Sequence, residues 1–325
     1  MRSRLEELHG RRVLLAASTG GHLAQLVKLA PMIGVAESSP WLTFDTPQSR
    51  GLLAGREVHY VDYIQPRDAV GALRAVPRAG ALLKGVDGAI STGAALAMAV
   101  LPTASAQGLP SIYLESVSRV NGPSLSGRML RRFPRIGLYG QHAGWVSEPW
   151  KLGPTVLSAY QRSTTERRDT PLRVLVTLGT IEPYRFDRLV DLVLGLIADR
   201  PDAEVVWQLG ASHREGLPGR TTRVLAAHEF ADALDWANVV VSHAGVGTAM
   251  EILDAGRLPV LLPRKVALDE HVDDHQHEIF DLLVQRGLAF DADVVLRDPE
   301  AVDRLAHVRV DTMPQPAAAC GTIAG

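Results

Sequence analysis

The 325-residue chain holds one cysteine, Cys320, so neither a disulfide nor a cysteine-ligated zinc site can form within it. It has no apolar run near the roughly 18 residues that a membrane-crossing helix needs. The charged start Met1-Arg-Ser-Arg4 is followed by an apolar stretch, Val13–Ala17, too short for a signal-peptide core, and a cytoplasmic protein is expected. Aromatic residues make up only 5% of the chain, and no aromatic-rich face accompanies its basic clusters, so nucleic acid is a weak candidate partner. Two nucleotide-binding signatures are also missing. There is no Gly-Lys-Ser/Thr, and Gly245-Val-Gly247 lacks the third glycine that a dinucleotide turn uses for helix packing. A nicotinamide dehydrogenase is thereby disfavoured.

What is present is a rhythm. Short apolar runs read as strands at Arg12–Ala17, Trp41–Phe44, Val58–Val61, Gly88–Ser91, Ser111–Leu114 and Ile136–Tyr139. Helical patterns fill the gaps, notably His22–Ile33, Asp68–Lys84 and Ala94–Ser105. The rhythm fades over residues 143–172, which collect Pro, Ser, Thr and Arg as a linker would, and restarts at Arg173–Thr177. Further strands are expected at Glu204–Gln208, Thr222–Leu225, Val239–Ser242 and Val260–Leu262. The pattern predicts an α/β protein of two Rossmann-like domains, residues 1–142 and 173–310, with parallel sheets facing a cleft and a flexible tail over 311–325. Charge is split between the halves. Residues 1–142 carry 16 Lys/Arg against 9 Asp/Glu, whereas residues 173–325 carry 14 against 24. The basic half suits an anionic lipid or a phosphorylated acceptor.

Three glycine turns follow predicted strands: Ser18-Thr19-Gly20-Gly21-His22, Thr177-Leu-Gly179-Thr180, and Ser242-His243-Ala244-Gly245-Val-Gly247-Thr248. Glycines let a backbone approach an anion, and the unpaired N–H groups of a helix start point at it. A plainer reading stands beside this one, because Thr248-Ala-Met-Glu251 also fits a capping box in which Glu251 only caps its own helix. In Asp269-Glu-His-Val-Asp-Asp-His-Gln-His-Glu278, Asp274 and Gln276 suit a polyhydroxylated ligand. His271 and His275 are four apart, as in some zinc sites, but no third ligand is evident nearby. Arg128, Arg131, Arg132 and Phe133 interleave charge with apolar surface, as an interfacial segment does on an anionic membrane. Glu115 ends a predicted strand and is either a base or a structural partner of Arg119.

Together these residues resemble a family. Val176-Thr-Leu-Gly-Thr180, Phe186-Asp-Arg-Leu189, Ser242–Thr248 with Glu251, and Asp274-His-Gln276 are similar to the C-terminal domain of glycosyltransferase family 28. The second half looks like the catalytic subunit of the two-subunit N-acetylglucosamine transferase of dolichol-linked oligosaccharide synthesis. Ser18–His22, Ser91-Thr-Gly93 and Tyr113–Val120 make the first half resemble that enzyme's acceptor-side subunit, as in bacterial exopolysaccharide counterparts. The resemblance implies a GT-B fold and a UDP-sugar as co-substrate; because a helix N-terminus can stabilise departing UDP without a metal, no metal or other cofactor is expected. It implies that the Ala244–Thr248 turn holds the diphosphate, that Glu251 holds the ribose, and that Asp274 and Gln276 read the sugar. His22, or else Glu115, would serve as base toward a lipid-linked glycan acceptor at the inner face of the membrane. A UDP-sugar 2-epimerase and a non-catalytic nucleotide-sugar-binding protein remain the alternatives.

Overall fold

A computed structural model describes residues 4–65, 68–165, 171–179, 182–271 and 275–312. The chain divides into two compact units, residues 1–159 and 160–313.

The first unit runs α1 (Arg4–Glu7), β1 (Leu14–Ala17), α2 (Gly21–Ile33), β2 (Trp41–Phe44), α3 (Pro47–Leu52), β3 (Val58–Val61) and α4 (Ala69–Leu82). It continues with β4 (Ala89–Gly93), α5 (Ala95–Ala106), β5 (Ser111–Leu114), α6 (Leu125–Leu130), β6 (Ile136–Gly140) and β7 (Trp150–Leu152). Its seven strands form one sheet in the order β3-β2-β1-β4-β5-β6-β7, every pair parallel. β1, β2, β4 and β5 are buried along their whole length, as parallel strands covered on both faces must be. Local chemistry sets the helix ends. Asp68 caps α4 by accepting from the Gly71 N–H at 2.9 Å, and α2 stops at Gly34 in the left-handed region.

The second unit runs β8 (Tyr160–Thr164), β9 (Arg173–Thr177), α7 (Asp187–Ile197), β10 (Glu204–Gln208), β11 (Arg220–Thr222), α8 (Ala227–Trp236), β12 (Val239–His243) and α9 (Val246–Asp254). It closes with β13 (Pro259–Leu262), α10 (His275–Gln285), β14 (Phe290–Asp291), α11 (Ala292–Val295), α12 (Pro299–Leu305) and β15 (Val308–Thr312). Its main sheet is parallel in the order β11-β10-β9-β12-β13-β14. By position this repeats the 3-2-1-4-5-6 order of the first six strands of the first unit. Each unit is thus a Rossmann-like domain whose strand order reverses beside its own first strand. That reversal, β1/β4 in one unit and β9/β12 in the other, opens a crevice at the carboxyl ends of the strands.

Segment 143–172, expected as a linker, contributes structure to both units. Trp150, buried against Tyr113 and Trp145, lets β7 extend the first sheet, and β8 pairs antiparallel with β15. β8 is polar and largely exposed, so it carries no apolar run that would announce it. β11, the third strand of the main sheet, lies at Arg220–Thr222, earlier than Thr222–Leu225, because Leu225 turns inward to the core beside α8. Of the tail expected over 311–325, Asp311 and Thr312 belong to β15, and the remainder lies outside the described residues.

Candidate functional site

In the first unit, β1 runs into the turn Ser18-Thr19-Gly20-Gly21, and Gly20 has φ +88°. The Gly20 N–H donates to Gln48 Oε1 at 2.6 Å. His22, in the first turn of α2, places Nδ1 2.7 Å from the Thr92 carbonyl oxygen at the end of β4. A carbonyl only accepts, so Nδ1 carries the proton and Nε2 keeps its lone pair. Thr92 Oγ1 donates back to the His22 carbonyl at 2.8 Å. Gly93 makes room for this contact, since a Cβ there would stand 2.9 Å from His22 Cε1. Burial lowers the His22 pKa below its ordinary value. The Thr92 hydrogen bond opposes that shift, and the Arg119 charge adds to it. The result is a neutral imidazole with an available lone pair at the β1/β4 crevice.

Glu115 has a different environment. It is 1% exposed, and four donors converge on its carboxylate. Tyr113 Oη and the Ser116 N–H reach Oε1 at 3.1 Å each, while the Ser124 N–H and Oγ reach Oε2 at 2.8 and 2.9 Å. Burial raises its pKa against those hydrogen bonds. With every acceptor position used, Glu115 anchors the loop between β5 and α6. Two buried glutamines brace the same loop. Gln25 Oε1 accepts from the Val117 N–H at 2.8 Å, and Gln141 Nε2 donates to the Glu115 carbonyl at 2.9 Å.

Beside His22 lies a pocket of about 1030 Å³. Ser18, Thr19, His22, Glu115 and Arg119 are among its polar lining residues, and Phe44, Tyr63, Leu73, Met98, Leu125 and Met129 form much of its apolar wall. α6 borders it, burying Gly127 and Leu130 while Leu125, Met129 and Phe133 stay exposed among Arg128, Arg131 and Arg132.

In the second unit, β12 delivers Ser242 and His243 to the crevice beside β9. Ser242 is fully buried and donates from Oγ to the His243 carbonyl at 3.0 Å. The His243 ring packs over two turns at once. A Cβ on Gly179 would stand 2.9 Å from its Cε1 and Nε2, and one on Gly245 would collide with it. Gly179 also needs its glycine conformation, with φ +81°. Burial drives the His243 pKa down to about 4; the Arg264 charge and His271 add to this, and a hydrogen bond to the Thr177 backbone opposes it.

Ala244 is buried, and Gly245 caps α9 without any side-chain hydrogen bond. The helix therefore starts at Val246. Thr248 lies inside it, so Thr248-Ala-Met-Glu251 does not cap it. The first N–H groups of α9 remain open for an anion, and a Cβ on Gly247 would meet nothing within 4 Å. Glu251 is exposed on α9, and its carboxylate has no hydrogen bond among the described residues. The surrounding protein and then the Asp254 carboxylate raise its pKa. Gln276 is buried, its Oε1 accepting from the Arg264 N–H at 3.3 Å. Thr180, Asp274 and the His275 side chain lie outside the described residues. Asp291-Ala-Asp293, the spacing found in metal-dependent sugar transferases, is engaged elsewhere: Asp291 caps α11, and Asp293 faces Arg188 and Arg297.

Residues 173–296 match the glycosyltransferase family 28 C-terminal domain. The matched segment runs from β9 to the end of α11 and includes every residue expected on the donor side, from Gly179 to Gln276. A UDP-N-acetylglucosamine--N-acetylmuramyl-(pentapeptide) pyrophosphoryl-undecaprenol N-acetylglucosamine transferase from Dechloromonas aromatica is 29% identical over 174 residues, 51% of this chain and 47% of that protein. The chain thus spans about half the length of this curated relative. The Desulfitobacterium hafniense protein of the same name is 24% identical over 321 residues, covering 80% of this chain and 81% of its own. Among solved structures, MurG of Acinetobacter baumannii superposes with a TM-score of 0.54 at 19% identity, over 90% of this chain and 89% of that one. The glycosyltransferase SnogD from Streptomyces nogalater gives 0.51 at 19% identity, over 92% and 93%. The fold is GT-B, and the match to the family 28 C-terminal domain lies within its second unit.

Sequence reading missed Arg264, which is fully buried two residues beyond β13, and the Gln25–Gln141 brace. An Arg-Lys pair after an apolar strand looks like surface charge. Glutamines 116 residues apart give no local sign of meeting.

Proposed function

We propose that this protein is an inverting, metal-independent glycosyltransferase. It moves a sugar from a UDP-sugar to a hydroxyl of a polyprenyl-diphosphate-linked glycan in cell-surface polysaccharide synthesis. The observation that carries the reading is the coincidence of the family 28 match with an open, glycine-capped helix start at β12–α9. That helix start takes the diphosphate and stabilises the charge that grows on departing UDP. Gly179 and His243 line the same crevice, exposed Glu251 takes the ribose hydroxyls, and Asp274 and Gln276 are the residues assigned to reading the sugar. In the first unit His22 is the base. The acceptor oxygen attacks the anomeric carbon, the bond to the β-phosphate oxygen breaks with its electron pair leaving on UDP, and the acceptor proton passes to Nε2.

Several observations favour a lipid-linked acceptor. The relatives' names specify a pyrophosphoryl-undecaprenol acceptor and an N-acetylglucosamine donor, which makes UDP-GlcNAc the first donor to try. The pocket beside His22 is mainly apolar, and arginines interleaved with exposed apolar side chains on and just beyond α6 suit a peripheral contact with an anionic membrane. Among the described residues no helix is long and apolar enough to cross a membrane. A panel of UDP-sugars should release UDP when membrane extract supplies the lipid-linked acceptor, and little without it. An epimerised sugar formed from UDP-GlcNAc alone would instead make the protein an epimerase. A retained anomeric configuration in the product, read by NMR, would exclude single displacement.

A further inference from the structure

We propose that Arg264 is a positioning residue of the donor site: its buried guanidinium ties the Gly179 turn to Tyr184 and to Glu270 in the segment after β13, and keeps a positive charge beneath the proposed diphosphate position. This rests on the donor-site reading above. The Arg264 side chain has no solvent exposure, and its fork reaches three separate segments. Nη2 donates to the Leu178 carbonyl, and Nη1 donates to the carbonyls of Glu270 at 2.7 Å and Tyr184 at 3.1 Å. The Leu178 carbonyl and the Gly179 N–H are opposite ends of one peptide plane. Fixing that carbonyl therefore fixes the direction in which the turn presents its N–H. The Arg264 main-chain N–H meanwhile holds Gln276 Oε1, and the Phe186 ring centroid lies 4.9 Å from the guanidinium. An ammonium, a point charge with no planar fork, cannot reproduce this arrangement.

The charge itself is the second part. Burial lowers the Arg264 pKa to about 10, with Glu270 opposing, so the group stays cationic at neutral pH. Its side-chain hydrogen bonds go to neutral carbonyls. The Glu270 carboxylate is committed to Arg188, accepting from Nη2 at 2.9 Å and Nε at 3.2 Å, and Arg188 also faces Asp293 at 3.5 Å. A buried cation held only by carbonyls is costly for folding and favours an anion placed nearby. Its field extends to His243, the residue packed on both phosphate-side glycines.

The test compares wild type with Arg264→Met and Arg264→Lys, using UDP calorimetry, thermal unfolding and NMR titration of the His243 ring. Arg264→Met should weaken UDP binding by roughly tenfold or more and let His243 titrate at a higher pH. Arg264→Lys should hold the His243 titration near wild type yet recover only part of the UDP affinity. A merely structural role would lower the unfolding temperature and leave the UDP affinity of the folded protein unchanged. That result overturns the proposal, as does wild-type affinity in Arg264→Met. If Arg264→Met does not fold, Arg264→Lys decides: full UDP affinity in it overturns the role of the fork. Failure of the wild type itself to bind UDP would overturn the donor-site reading, and this inference with it.

Discussion

His22 and His243 are both kept neutral by burial, yet their ring nitrogens have different surroundings. The Thr92 carbonyl fixes the His22 proton on Nδ1 and leaves Nε2 as a base, whereas the His243 ring is packed on two glycine turns. His22→Ala should cut kcat by about 10²–10⁴-fold while UDP affinity, measured by calorimetry, stays the same. Because the His22 pKa lies below 6.5, the active neutral form persists above that value. The acid limb of kcat/KM should therefore fall only below pH 6.5, and a limb centred above 7 would exclude His22 as the base. His243 gives a stability counterpart. Its pKa is about 4 in the fold against 6.5 unfolded, so the unfolded chain binds more protons between those values. That contribution is complete above pH 6.5 and is lost as pH falls through about 4, amounting to up to about 3 kcal/mol. Urea unfolding at pH 7.5 and 4.5 checks the sign. At Glu115 all four partners are donors, so an amide would turn its NH₂ toward at least one of them. Glu115→Gln should lower stability by roughly 1–3 kcal/mol in the same unfolding assay. Lost turnover with unchanged stability would instead return Glu115 to the chemistry.

Among the elements, α9 joins a sequence motif to a function that stability measurements can separate from folding. Gly247 lies within the helix, at ordinary φ, with open space where a Cβ would go. Gly247→Ala should raise stability by roughly 0.4–1 kcal/mol because alanine loses less entropy in a helix. The same methyl group would stand where the proposed function brings the diphosphate, so UDP affinity should drop as the melting temperature rises. Unchanged UDP affinity would remove the diphosphate from this helix start. The contrast also shows which features a sequence displays. β1, β2, β4 and β5 are largely apolar runs buried in one parallel sheet, and their burial is written locally as hydrophobicity. β8 and β15 form a polar, partly exposed ribbon, and their pairing depends on contacts across more than a hundred residues. The helix start was legible as glycines, but Gly245 rather than Thr248 proved to be the cap, because the backbone geometry at the strand end decides it. Arg264 was not legible, since its carbonyl partners lie 86, 80 and 6 residues away.

Over the whole molecule, the uneven charge gives a prediction that no single contact contains. Residues 1–142 carry an excess of 7 positive charges, and residues 173–325 an excess of 10 negative ones. An anionic surface therefore attracts the first segment and repels the second, which biases how the protein meets a membrane. Arg128, Arg131 and Arg132 are all exposed, interspersed with Met129 and Phe133. Each arginine near an anionic lipid surface contributes roughly 1 kcal/mol, so the three together amount to about a hundredfold in binding. Met129 and Phe133 are only partly exposed, at 43% and 37%, so their burial in lipid adds less than full insertion would. Charge is then the larger contribution, and salt should reveal it. Sedimentation with phosphatidylglycerol vesicles should show binding at low ionic strength that fades by 0.5 M salt, where the Debye length is only about 4 Å. Phosphatidylcholine vesicles should bind little. Replacing Arg128, Arg131 and Arg132 together with glutamine should reduce vesicle binding roughly a hundredfold while leaving UDP affinity intact. Binding that survived high salt and the triple substitution would place the membrane contact on another face of the protein.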